Sequence, residues 1–139
     1  MTTVRVNIHS ADGITTEIVG RGQGRITAQR NPRIGTPNGM GYGGGEILCM
    51  AAGTCFYNNL RRLANDSGIV LKTVAVEVIA ETSDASPTTR EVTLKPKIES
   101  DASEDVLRGL TDQALQQSYV AGMLTHSVSV KLGSLSGVE

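Results

Sequence analysis

Polar and apolar residues alternate at the start of the chain. Val4, Val6 and Ile8 are interleaved with Arg5, Asn7 and His9, a period of two that predicts a half-buried strand. Ala11-Asp12-Gly13 supplies a turn, and Ile14 to Val19 reads as the returning strand. Gly20 to Gly24 is a glycine-rich turn, after which Arg25 to Gln29 continues with Ile26 and Ala28 on one side. A three-stranded meander is expected. From Asn31 to Gly45 the pattern stops: Pro32, Pro37 and repeated glycines predict a long loop.

The period then changes to that of a helix. Gly43 to Gly68 is the longest stretch able to form one uninterrupted helix, and Gly68 can take the left-handed conformation that ends it. Residues 46–56 are apolar or small on every side of the helical wheel, Glu46 excepted, which predicts burial all round. The run Ala51-Ala52-Gly53-Thr54 has so little side-chain volume that another backbone can approach it. Beyond Tyr57 the polar residues Asn58, Asn59, Arg61 and Arg62 return, so the helix is expected to end at a surface. Val74, Val76, Val78 and Ala80 then alternate with Thr73, Ala75, Glu77 and Ile79 as a strand, and Arg90 to Ile98 pairs back on it. Pro96 lacks a ladder donor and belongs at a sheet edge or bulge. Ser103-Glu104-Asp105 starts a second helix with Leu107, Leu110, Ala114 and Leu115 on its buried stripe, running to about Gln117. Val128, Val130 and Leu132 predict a last strand. The order is α+β, with antiparallel sheets packed on two helices and a long helix at the centre.

Composition narrows the classes. A chain of 139 residues fits one domain, 1–139, and its net charge of −1 carries no electrostatic footprint for nucleic acid or an anionic membrane. Neither a signal peptide nor a membrane-spanning run is visible, so the expected compartment is the cytoplasm. One Phe and no Trp leave the core to Val, Ile, Leu and Ala, and an oligomer could supply further burial. His9 and His126 do not argue for a metal, and no cofactor is expected. The glycines before the long helix lack the Lys-Ser/Thr ending of a phosphate-binding loop.

Two readings of Cys55 stay open on its position alone. It is a small hydrophobe in a helix, or it is a reactive thiolate that needs a positive charge nearby, because a free thiol is only slightly ionised at neutral pH. A mid-helix position offers no N-terminal dipole, so the charge is expected from an arginine elsewhere in the chain or in a second chain. Glu46 in the first helical turn favours the helix dipole.

Three pieces, Arg21-Gly-Gln-Gly24, Gly45-Glu-Ile-Leu-Cys-Met-Ala-Ala-Gly-Thr-Cys-Phe56 and Gln117-Ser-Tyr-Val120, together resemble the OsmC/Ohr family. The resemblance implies an intertwined homodimer with the long helices in its centre and thiol-dependent reduction of organic hydroperoxides, a defence against oxidative stress. It implies that Cys55 is the peroxidatic cysteine, that Arg21 lowers its pKa and that Glu46 is the carboxylate partner. Many peroxidases of the family carry that glutamate where this chain has Gly45. Glu46 is separated from Cys55 by a rise of ~13.5 Å on an ideal helix and would act through Arg21 or across a dimer. Ser118 occupies the position of the family's resolving cysteine, and Cys49 is too far along the helix to replace it. The expected reductant is therefore an external thiol. The other function compatible with these residues is a small-ligand-binding protein whose apolar pocket, at the subunit interface, is formed around Phe56, Tyr57 and Met50, with Cys55 as packing.

Overall fold

A computed structural model of the protein describes residues 7–10, 15–19, 25–29, 43–83, 88–126 and 129–135. The chain divides into two compact units, Met1–Leu48 and Cys49–Glu139. In the first, β1 (Asn7–Ser10), β2 (Thr15–Val19) and β3 (Arg25–Gln29) form an antiparallel sheet in the order β1-β2-β3. Ile8 stands opposite Ile18, and Ile18 opposite Ile26, so the predicted meander is present with its β-branched residues in register.

Helix α1 (Gly44–Asp66) begins at the end of that unit and continues through the second. Its start is fastened by Glu46, whose Oε1 accepts the Gly43 amide at 3.1 Å, the reciprocal half of a capping box. Its end is closed as expected: Gly68 has φ +69°, and the Ile69 amide reaches back to the Ala64 carbonyl at 2.9 Å.

The second unit is built on a long antiparallel hairpin, β4 (Leu71–Ser83) with β5 (Thr88–Ser100), followed by α2 (Glu104–Gln116) and α3 (Tyr119–Thr125). Val74 pairs with Ile98, Val78 with Leu94 and Ala80 with Val92, so these half-buried residues of the two strands share one face. Pro96 stands opposite Val76 in this two-stranded sheet, where its missing donor is tolerated because β5 pairs on one side only among the described residues. Phe56, Leu60 and Ala64 of α1, Leu71 of β4, and Leu110 and Ala114 of α2 form the core. Leu60 is wholly buried, and its truncation to Ala should cost about 2–5 kcal/mol.

Three expectations are corrected here. Helix α1 is not buried all round: Ala52, Phe56, Leu60 and Ala64 are inside, while Met50, Ala51 and Thr54 are exposed, because the hairpin and α2 cover only one face. Gly53 admits a close neighbour, in line with the small run it belongs to: a Cβ there would lie 2.8 Å from Val78 Cγ2, so the small residue lets β4 close on the helix. Leu115 is exposed, one residue round from the buried Ala114. The strand expected around Val128 to Leu132 is not formed at its described residues. Val130 and Leu132 are 91% and 99% exposed, since alternation makes a strand only where a partner ladder is available. Among the described residues no helix is long and apolar enough to cross a membrane.

Candidate functional site

The site forms where α2 turns into α3. Helix α2 should continue by giving the Ser118 amide to the Ala114 carbonyl, but that amide bonds Leu115 O at 3.1 Å instead. The helix stops, Ser118 adopts an extended backbone (φ −76°, ψ 118°), and α3 begins with Ser118 as its N-cap, Oγ accepting the Ala121 amide at 3.2 Å. Helix α3 departs from the expected pattern, in which this stretch leads straight into a strand. The signal available was a capping serine followed by Tyr119, Val120 and Ala121, weakened by Gly122 inside so short a helix.

Ser118 is 6% exposed and turned toward α1. Cys55 meets it there. Burial of the thiol opposes ionisation, but hydrogen bonds from the Ser118 hydroxyl and from the Val120 and Tyr119 amides, together with the charge of Arg62, outweigh that and hold the Cys55 pKa below that of an ordinary thiol. With its Oγ lone pair engaged by Ala121, the Ser118 hydroxyl has its proton free for the sulfur. Stabilisation that its own mid-helix position does not offer thus reaches Cys55 from the first turn of α3, remote in sequence. Charge also comes from Arg62 on the same helix.

Arg21 lies outside the described residues. Glu46 is exposed and engaged with the Gly43 amide. Phe56, expected in a pocket, is 2% exposed and packed in the core, because it follows the Ala52–Leu60 face of α1. Tyr57 is held by Arg61, whose Nε donates to its hydroxyl at 3.3 Å and whose guanidinium lies 5.4 Å from the ring centre. Met50 is exposed. Cys49 and Cys55 are both free thiols. The groove beside the site is formed by other residues: Leu94, Leu115, Leu124 and Ala121 line a space of about 530 Å³ that Ser118 also borders, with Glu91 on its wall. Among the described residues no group of three His, Cys, Asp or Glu side chains is gathered to hold a metal.

Comparison with known proteins gives the fold a context. The family model of OsmC-like protein matches residues 36–133. No curated protein matches the sequence significantly. An OsmC-like protein from Mycoplasma pneumoniae is similar in structure with TM-score 0.70 and 16% identity, over 89% of this chain and 88% of that one. A hypothetical protein from Aquifex aeolicus VF5 is similar with TM-score 0.71 and 15% identity, over 90% and 89%. The organic hydroperoxide resistance protein OsmC of Legionella pneumophila is similar with TM-score 0.58 and 16% identity, over 88% of each chain. At these identities the likeness is one of fold.

Proposed function

The chain belongs to the OsmC-like protein family, and on that premise we propose that it reduces organic hydroperoxides through Cys55 alone. The thiolate attacks the terminal peroxide oxygen, the O–O bond breaks, and the alkoxide takes a proton, so that thiolate, hydroperoxide and proton give cysteine sulfenic acid and an alcohol. The observation that carries this reading is the place of Cys55 on α1, facing the buried Ser118 and the first residues of α3, surroundings that hold its pKa below that of an ordinary thiol. A thiolate so placed is the nucleophile at neutral pH.

Arg21 is assigned by resemblance to the same sulfur, adding to the charge of Arg62, with Glu46 as its carboxylate partner. Because Ser118 stands where the family has its resolving cysteine, the sulfenic acid is reduced from outside: one thiol displaces water to form a mixed disulfide, and a second releases Cys55. The working form is a homodimer that covers the exposed Met50, Ala51 and Thr54 face of α1. One cheaper function competes, the binding of a small apolar ligand, favoured by the apolar groove bordered by Ser118.

One equivalent of cumene hydroperoxide added to reduced protein, followed by a sulfenic-acid trap and mass spectrometry, should place the adduct on Cys55 with no bond to Cys49. Cys55 left unmodified would overturn the peroxidase reading in favour of ligand binding. In Ser118→Cys the same oxidant should instead give a Cys55 disulfide.

A further inference from the structure

Cys55, Asn59 and Arg62 lie on one face of α1, at positions i, i+4 and i+7, with Asn59 and Arg62 bonded to the α2–α3 junction and Cys55 facing it. Asn59 is buried, and its Nδ2 donates to Ala114 O at 3.2 Å. That carbonyl is the one deprived of its helical partner when the Ser118 amide turns to Leu115. Arg62 Nη2 donates to Gln117 Oε1 at 2.7 Å, fastening the residue next to Ser118. A buried carbonyl left without a donor would cost about 1–3 kcal/mol, enough to favour the alternative in which α2 runs on and takes the Ser118 amide back. Asn59 removes that cost only for the turned arrangement.

We propose that Asn59 and Arg62 are positioning residues that clamp the α2–α3 junction in its turned form, so that the Ser118 hydroxyl and the first amides of α3 are presented to Cys55. This rests on the reading of Cys55 as the working thiol, and neither residue needs to touch substrate. Among the described residues, the charged and titratable groups around the thiol are few. Arg62 faces it from α1, the junction contributes Gln117, Ser118 and Tyr119, β4 faces this part of α1 with Val78, and β5 brings Glu91 to the groove that Ser118 borders.

The test is the rate of Cys55 alkylation by iodoacetamide against pH, read by mass spectrometry at that residue, with no peroxide present. Asn59→Leu, similar in volume but without the donor, should move the midpoint upward by about half a pH unit and slow the reaction at neutral pH about threefold. Gln117→Ala, a change at an exposed position, should move it in the same direction with the fold intact, and serves if Asn59→Leu does not fold. Arg62→Gln, which keeps a donor for Gln117, should retain more of the wild-type profile than Arg62→Ala. Combined with Ser118→Ala, either Asn59→Leu or Gln117→Ala should add less than its effect in the wild-type background, since both act partly through that hydroxyl. Unchanged midpoints in the single variants, or effects fully additive with Ser118→Ala, would overturn the clamp. Because alkylation reports the thiol's surroundings and not its substrate, a peroxide-inert wild-type protein would count against the proposed function and leave this result standing.

Discussion

Helices α2 and α3 both begin at a serine, yet they present opposite electrostatics. Ser103 is exposed, accepts the Val106 amide at 3.3 Å, and is followed at once by Glu104 and Asp105, so the positive end of α2 is answered by its own carboxylates. Ser118 is buried, accepts the Ala121 amide, and is followed by Tyr119 and Val120, with no acid in the first turn. The amides of α3 therefore remain for a negative group, and the one they meet is the Cys55 sulfur. A helix start becomes chemically useful when its sequence leaves the dipole unanswered and its place in the fold brings an ionisable side chain to it.

The sharpest way to break this contrast is to give α3 the first turn of α2. Tyr119→Glu with Val120→Asp should place like charge beside the thiol, raise its pKa by about one unit or more, and cut alkylation at neutral pH roughly tenfold. Tyr119 is 82% exposed, so the change at that position should be tolerated. Smaller effects should follow from exchanging the caps. Ser118→Ala should slow Cys55 alkylation several-fold, whereas Ser103→Ala should cost about 1 kcal/mol of stability in urea unfolding and leave the Cys55 pH profile unchanged. Equal effects of the two on Cys55 would show that the serines act only as caps.

Removing a single amide tests the same contrast more finely. Proline fits the first position of a helix, and Ser118 already has the extended backbone that proline requires before it. Tyr119→Pro should therefore keep α3 and delete one donor to the sulfur, raising the thiol pKa by about half a unit. The smallest expected effect is on stability against pH. With the folded Cys55 pKa below its unfolded value, the unfolded chain binds more protons between the two, so stability should rise with pH across that window and be lost as pH falls through the folded pKa. Cys55→Ala should flatten that part of the curve.

Much of the frame was determined by the sequence alone, because it depends on local periodicity and local caps. The limits of α1 follow from its apolar run and from Gly68, the β4–β5 hairpin from alternation about Val74 to Ala80, and the start of α2 from Ser103. The family was legible too, through the Glu46 to Phe56 segment. Tertiary structure decided the rest. Whether Cys55 packs or ionises depends on Ser118, Tyr119 and Val120 arriving from far along the chain, and the turn that delivers them depends on Asn59 reaching Ala114 O. Phe56, expected beside a pocket, lies in the core, because a helical wheel gives the angle between side chains but not which angle the sheet will cover. Val130 and Leu132 carry a strand's alternation without its structure for a related reason: a pattern states which face would be buried, and only another strand can complete the ladder.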